Sequence, residues 1–424
     1  MLMYAKRKIE IYFLFGLLLS LITYATPYFR SGPDPEETLD LFLIVNLMLL
    51  IIAVSARIIH SRAVILPKAL ELGLYLMIIA ILISSFFSET IQYESILKLV
   101  VFLSLPLIFI QTIDRYIISK VVIFFVSIGI ILTFYGYYGY FTGNVGDQAN
   151  AFWWAYAKYW GIHYTESTRN ADVYYPAISM CFILPYITRK ARMAVKILTY
   201  FALVLTLSAV TLSLSRGAWI AAATVLIFGT YLIGKGQYKG KVILKKYTLF
   251  TLLFVSTIYF SYAFGDNVFL LEKLRSILVF EDVDPSVSSN ENRVAILLAI
   301  FDVIRYHPEG IGLNNLRYIF PMYGLSINHA ENNYLNILAE LGVIGFAGFC
   351  ILVFYPLKRL YEKTKTVHDV HNEGFLLANI YVIVAYLFNV DTQGIFIWIV
   401  HGLIWGYTIS GHSRPVGVLP RQTV

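Results

Sequence analysis

The sequence predicts an all-α polytopic membrane protein with about twelve transmembrane helices, and three observations support this prediction. Of the 424 residues, 58% are hydrophobic and only 14% are charged, and the mean hydropathy is +0.69. Apolar stretches close to the about 20 residues that a spanning helix needs recur along the whole chain. Basic residues are concentrated in every second gap between these stretches. This composition excludes an ordinary soluble domain.

Twelve apolar segments are long enough, or nearly so, to cross the hydrocarbon core. They are Ile9–Phe29, Leu39–Ala56, Leu70–Phe87, Ile96–Gln111, Val121–Phe141, Val173–Ile187, Val195–Leu214, Ala218–Ile233, Tyr247–Phe264, Leu335–Tyr355, Phe375–Phe388 and Ile395–Ile409. With the N-terminus in the cytoplasm, and with Lys196 at the cytoplasmic end of the seventh segment included, the cytoplasmic side carries 23 of the 33 Lys and Arg residues. The outer side carries only 9. A miscounted helix would invert this asymmetry. Both termini are therefore predicted to be cytoplasmic, and the net charge of +7 indicates contact with membrane lipids and no nucleic-acid partner.

The chain is predicted to form a single integral membrane domain over residues 1–424. The longest polar stretch, residues 265–334 between the ninth and tenth segments, is predicted to be a folded periplasmic subdomain. Within it, Glu291–Tyr306 reads as an amphipathic helix that His307-Pro308 ends. Its apolar residues recur at helical spacing at Val294, Leu297, Leu298, Phe301 and Ile304. A second short helix is predicted over Leu313–Phe320.

Several site types find no support in the sequence. Cys181 and Cys350 both fall within apolar segments, which predicts free thiols and no disulfide. His307, His329 and Glu331 lack the spacing of a zinc site, so no metal is expected. The chain also lacks an Asp-x-Asp nucleotide-sugar motif, a P-loop and a dinucleotide-binding glycine turn. No cofactor is therefore expected.

Three residues are placed where water-side chemistry could meet a lipid-borne substrate. His329 lies in the polar stretch that leads into the tenth segment, and an imidazole can accept a proton near neutral pH. Arg216 lies in a tight outer turn where basic residues are scarce, and Arg293 opens the amphipathic helix. A guanidinium can bind a diphosphate through paired hydrogen bonds. As alternatives, each arginine could be a membrane anchor or an ion-pair partner, and His329 a solvated loop residue.

Four features follow one another in the C-terminal half: Leu214-Ser215-Arg216-Gly217-Ala218-Trp219, then Arg293, then His307-Pro308-Glu309-Gly310-Ile311-Gly312, and finally His329 with Asn332-Asn333-Tyr334-Leu335 and Glu340-Leu341-Gly342-Val343-Ile344-Gly345. In this combination the C-terminal half resembles the bacterial O-antigen ligase and O-antigen polymerase family. Members of this family transfer a glycan from undecaprenyl diphosphate to a hydroxyl acceptor without a nucleotide sugar or a metal. The resemblance implies that Arg216 and Arg293 bind the diphosphate and that His329 lies near the acceptor hydroxyl.

Further residues are weaker candidates for substrate binding. Arg169 precedes the sixth segment on the outer side, where a surface role is equally possible. Asp391 in a tight outer turn could orient a basic residue or the acceptor. Asn332, Asn333 and Tyr334 could position His329 or bind sugar, and packing at a helix start is the alternative.

The resulting hypothesis is a glycosyltransferase of the bacterial inner membrane with its active site facing the periplasm. The donor would be an undecaprenyl-diphosphate-linked glycan. The preferred acceptor is lipid A-core, as for an O-antigen ligase; the alternative is a lipid-linked glycan, as for an O-antigen, capsule or exopolysaccharide polymerase. A twelve-span transporter or flippase is the rival from another class. Transporters usually place polar sites near the midplane and contain related halves, whereas the candidate residues here gather at one face.

Overall fold

The structure, a computed structural model, describes residues 66–112, 115–141, 173–188, 192–212, 215–237, 289–325, 327–330, 332–366, 369–388 and 395–410. The helices in these ranges are α1 Lys68–Phe87, α2 Tyr93–Thr112, α3 Arg115–Phe141, α4 Tyr174–Ile183, α5 Met193–Leu212, α6 Arg216–Gln237, α7 Ser289–Tyr306, α8 Leu316–Ile319, α9 Asn333–Thr366, α10 Val370–Ala385 and α11 Ile395–Ser410. The 3-10 helices Leu184–Thr188 and Phe320–Tyr323 continue α4 and α8. These ranges contain no strand, so the all-α prediction is confirmed for them.

Nine of the twelve predicted segments overlap these helices: the third to eighth overlap α1 to α6, and the tenth to twelfth overlap α9 to α11. The first, second and ninth segments lie outside the described residues. In the described part, the helices that are long and apolar enough to cross a membrane are Lys68–Phe87, Tyr93–Ile110, Met193–Thr211 and Asn333–Thr366. The total of twelve spans and the side on which each loop lies stay predictions.

Helix α1 shows how these helices divide between core and surroundings. It buries Leu70 and Met77 against its neighbours while Leu82 and Phe86 remain 66% and 83% exposed. An apolar surface of this kind is unfavourable in water and favourable in lipid hydrocarbon. The exposed side of α1 therefore agrees with a membrane-embedded helix.

Helix α1 packs antiparallel to α9, α3 to α4, and α6 to α10. Helix α11 packs parallel to α2, with Trp398 beside Phe102 and Gly402 beside Phe109. Small residues allow the closest approach. A Cβ atom on Gly348 of α9 would lie 2.9 Å from the main-chain oxygen of Gly73 in α1. Close backbone contact through small residues is the usual way in which helices associate in a membrane, because lipid offers no hydrophobic driving force between them.

Both cysteines are free thiols, as the sequence predicts. Cys181 is buried in α4 and Cys350 is half-buried in α9. Each thiol therefore packs as a small apolar side chain.

Helix α7 confirms the predicted amphipathic helix but presents the opposite face to the protein. The predicted apolar face is largely exposed, with Leu298 at 60% and Phe301 at 56%. The buried residues are Ile296, Ala299, Ile300 and Val303, which pack with residues of α8 and α9. Apolar residues occur at helical spacing on both sides of this helix, so the periodicity could not decide which side is buried. The second predicted helix is shorter than expected and spans Leu316–Ile319, followed by a 3-10 turn.

Candidate active site

The C-terminal end of α10 is the point at which several predicted site residues meet. The turn after α10 comprises Tyr386–Phe388. The main-chain N–H of Asn333 donates to the carbonyl oxygen of Tyr386 at 2.8 Å. The side-chain amide of Asn332 donates to the carbonyl oxygen of Leu387 at 3.0 Å. The first turn of α9 is therefore fixed to the end of α10 by hydrogen bonds.

Helix α6, which carries the Ser-Arg-Gly motif, begins at the same turn. Its first residue is Arg216, and the Ser215 hydroxyl oxygen accepts a hydrogen bond from the main-chain N–H of Ala218 at 3.3 Å. A side chain at Gly217 would collide with the side chain of Phe388. The main chain at Arg216 therefore lies beside the turn that also holds Asn332 and Asn333. The Arg216 side chain lies outside the part of the protein that the structure describes.

His329 lies in a short segment, residues 327–330, that packs between α7 and the start of α9 and is called the His329 segment below. Its neighbours Ile327 and Ala330 join the apolar cluster formed by the buried face of α7. The main-chain N–H of Ala330 donates to the side-chain oxygen of Asn336 at 3.3 Å. The His329 side chain itself is half-buried. The flanking residues thus hold the imidazole at the surface of the protein, close to the first turn of α9.

The remaining predicted residues occupy different environments. Asn333 is fully buried, and its side-chain nitrogen and oxygen find no hydrogen-bond partner among the described residues. The Tyr334 hydroxyl donates to the carbonyl oxygen of Ile383 at 3.1 Å, and its ring packs against Phe349. Asn332 is half-buried, so its side chain is more accessible than that of Asn333.

Arg293 belongs to the first turns of α7, where only its main chain is described. One turn later, Ile296 packs in the same apolar cluster as Ala330, the neighbour of His329. The first turns of α7 therefore lie near the His329 segment. Arg169 and Asp391 lie outside the described residues.

The glycine motifs on either side of His329 interlock through their main chains. The N–H groups of Ile311 and Gly312 donate to the carbonyl oxygens of Ala339 and Glu340 at 3.1 and 2.9 Å. This pairing surrounds a kink in α9 at Gly342, where φ is 67° and ψ is −171°.

A side chain at either of two glycines would disrupt this contact. The N–H of Val343 donates to the carbonyl oxygen of Pro308 at 3.0 Å, and a Cβ atom on Gly342 would collide with that same oxygen. At Gly310, where φ is 93°, a Cβ atom would lie 2.5 Å from the Glu340 carbonyl oxygen. Only glycine combines this conformation with such close approach.

Replacing Gly342 with alanine is expected to destabilise the protein more than the same change at Gly324. Both residues have positive φ, but a Cβ atom on Gly324 meets nothing within 4 Å. Alanine at Gly324 carries only the conformational cost, about 1–2 kcal/mol. At Gly342 the collision with the 308–309 main chain adds to that cost. Thermal unfolding of the purified variants measures the difference, and equal apparent melting temperatures would contradict the interlocked arrangement.

Two contacts that sequence reasoning did not find anchor this region to the connection between α1 and α2. The Asn315 side chain donates to the carbonyl oxygens of Thr90 and Ile311, both at 2.9 Å. The Arg317 guanidinium donates to the side-chain oxygen of Gln92 at 2.9 Å. These polar residues are remote in the sequence and form no motif, so only the folded chain reveals them as partners.

The turn after α10 also escaped sequence reasoning, because it acts mainly through its main chain. One side-chain contact stabilises this turn: the Tyr386 hydroxyl lies 2.9 Å from Nε2 of His401 in α11. A buried histidine within an apolar helix was the available signal in the sequence.

In the described residues, no group of three or more His, Cys, Asp or Glu side chains is placed to hold a metal ion. The expectation that the reaction needs no metal stays a prediction.

Comparison with known families agrees with the motifs that meet at this site. Residues 201–350 match the family model described as O-antigen ligase. These residues are similar to an O-antigen ligase domain. The domain runs from within α5 to within α9 and therefore includes the Ser-Arg-Gly motif, the His-Pro-x-Gly-x-Gly turn and His329. No curated protein matches the chain.

The match supports an enzyme of the O-antigen ligase and polymerase family, a membrane-associated glycosyltransferase of lipopolysaccharide biosynthesis. The suspected family is thereby confirmed at the level of this domain. The apolar helices described above agree with a membrane protein.

Proposed function

We propose that the protein transfers a glycan from undecaprenyl diphosphate to a hydroxyl acceptor at the outer face of the inner membrane. The preferred acceptor is lipid A-core, which makes the protein an O-antigen ligase. One observation supports the proposal above all: the start of α6 at Arg216 and the start of α9 at Asn332 and Asn333 meet at the turn after α10. Residues over one hundred positions apart in the sequence thus lie next to the same turn.

In this proposal the arginines bind the diphosphate of the donor. As the bond between the anomeric carbon and the diphosphate oxygen breaks, its electron pair goes to the diphosphate, which gains negative charge. Guanidinium groups of Arg216 and Arg293 can stabilise that charge by charge-assisted hydrogen bonds. The first main-chain N–H groups of α6 point out of the helix at the same place and favour an anion there.

The acceptor side falls to His329. The acceptor hydroxyl oxygen forms the new bond to the anomeric carbon, and its proton passes to the neutral imidazole. Asn332, half-buried beside the turn after α10, would orient a sugar hydroxyl. Direct displacement of this kind inverts the configuration at the anomeric carbon.

The proposal is tested with purified protein in lipid nanodiscs supplied with an undecaprenyl-diphosphate-linked glycan. One sample also contains lipid A-core and one does not. A ligase forms glycosylated lipid A-core and releases undecaprenyl diphosphate only in the first sample. Chain growth on the lipid carrier in the second sample would indicate a polymerase instead. An unreacted donor in both samples, from protein of native stability, would contradict glycan transfer and favour the flippase.

A further inference from the structure

A buried carboxyl group lies close behind the His329 segment, outside the roles described so far. Glu340 is in α9, two residues before the kink, and its side chain is 3% exposed. The carboxyl group accepts hydrogen bonds from the main-chain N–H of Asn314 and from the side-chain amide of Asn336. Two donors from different segments therefore converge on a single buried acceptor.

These contacts continue directly to the residue beside His329. Asn336 is 2% exposed, and its side-chain oxygen accepts the hydrogen bond from the main-chain N–H of Ala330. Because that oxygen is occupied as an acceptor, the amide nitrogen is the group that faces Glu340. A buried hydrogen-bond chain thus leads from Asn314 through Glu340 and Asn336 to Ala330.

The same carboxyl group connects three segments of the site. Asn314 belongs to the turn after the His-Pro-x-Gly-x-Gly motif and adopts a positive φ of 58°, which few residues other than glycine do readily. Asn336 belongs to the first turns of α9, and Ala330 to the His329 segment. The main-chain oxygen of Glu340 additionally accepts from Gly312. A side chain in this place fixes the His329 segment relative to α9.

Both contacts use the side chain of Glu340 as a hydrogen-bond acceptor. A carboxylate accepts at both oxygens, whereas a glutamine amide presents one acceptor and one donor group. With glutamine at this position, an N–H donor would face either Asn314 or Asn336. A buried donor left without an acceptor is unfavourable, and the local structure shifts to avoid it.

We propose that Glu340 is a positioning residue which, acting through Asn336 and Ala330, holds His329 at the distance that proton transfer from the acceptor hydroxyl requires. This inference rests on the proposed function, because it assigns a role within the same transfer reaction. Misplacement of a reacting group by about 1 Å can cost roughly 100-fold in rate. Glu340 itself takes no proton from the substrate.

The test compares Glu340→Gln, Asn336→Asp and the double variant. In the double variant the donor and acceptor groups of the 336–340 hydrogen bond change places. The new amide at position 340 donates to the new carboxylate at position 336 and still accepts from Asn314, while that carboxylate accepts from Ala330. We expect Glu340→Gln to lower kcat roughly 100-fold with little change in KM for the donor. The double variant should recover most of the lost rate.

The matched control is Glu373→Gln in α10. Glu373 is also buried, at 4% exposure, but it lies at the opposite end of the bundle from the turn after α10. Its replacement should leave kcat unchanged. Wild-type kcat in Glu340→Gln would overturn the proposal, and so would a stable double variant no faster than the slower single variant.

A second measurement separates this inference from the proposed function. Amide hydrogen exchange over residues 327–335 needs no turnover. Exchange should be faster in Glu340→Gln than in the wild type and slower again in the double variant. If this pattern appears but the wild type transfers no glycan, the proposed function fails and the positioning contact stands. Unchanged exchange in Glu340→Gln overturns the positioning contact itself, whatever the activity.

Discussion

Replacing His329 with alanine is expected to lower the rate of glycan transfer by about 100- to 10,000-fold, the usual contribution of a general base. Donor binding should change little, because the proposal assigns diphosphate binding to the arginines. His329 is suited to this role by its half-buried position between Ile327 and Ala330, which pack against α7. The initial rate at saturating donor, measured in nanodiscs, checks the prediction.

Two comparisons separate proton transfer from hydrogen bonding at His329. His329→Gln can still form hydrogen bonds but cannot take up the proton, so it should be nearly as slow as His329→Ala. The wild-type rate should rise between about pH 5.5 and 7.5, because only the neutral imidazole accepts a proton. His371→Gln is the control and should retain activity, because His371 lies at the end of α10 that is opposite to the turn after α10. A flat pH profile together with an active His329→Gln would leave His329 as a hydrogen-bonding residue only.

Replacing Arg216 with lysine is expected to lower transfer by about 100-fold or more, although the charge is kept. Lysine cannot form the paired hydrogen bonds that a guanidinium makes with a diphosphate. Arg293→Lys should act in the same direction. The measurement is the rate of undecaprenyl diphosphate release at saturating acceptor, with the membrane level of each variant checked by immunoblot.

Arg317→Lys is the matched control for the arginine variants. Arg317 lies in the same region of the protein, but its guanidinium binds Gln92 and lies over the ring of Tyr318. A lysine there should leave the transfer rate close to that of the wild type. The diphosphate-binding role would be wrong if Arg216→Lys and Arg293→Lys were as active as the Arg317 variant.

The helices could largely be predicted from the sequence, because hydropathy reports the burial and membrane exposure that stabilise them. The last segment was expected at Ile395–Ile409 and is observed at Ile395–Ser410. Helix α9 shows the limit of this approach. It was expected to end at Tyr355 but continues to Thr366, since a helix does not need to end where its apolar stretch ends. Hydropathy predicts where the chain leaves the membrane, but it does not predict the residue at which the helix ends.

The candidate site could be predicted in its residues but not in its assembly. The motifs named Gly310 and Gly342, yet nothing in their spacing indicated that the two glycines approach each other's main chains. The contact of Asn333 with Tyr386 uses main-chain groups, which every residue carries. Asn336 could have been found, because Asn332, Asn336 and Glu340 are four residues apart and share one face of a helix.

The central claim is that the site lies at one end of the helix bundle and faces the periplasm, where the acceptor is. Cysteine labelling tests this most directly, in a protein whose two native cysteines are replaced. Met322, 77% exposed, lies in the 3-10 turn after α8. Lys365, also exposed, lies in the last turn of α9, at the opposite end of that helix from Asn333. Met322→Cys should react with an impermeant maleimide on intact spheroplasts, and Lys365→Cys only after the membrane is broken. Labelling in the reverse order would place the site in the cytoplasm and contradict the account.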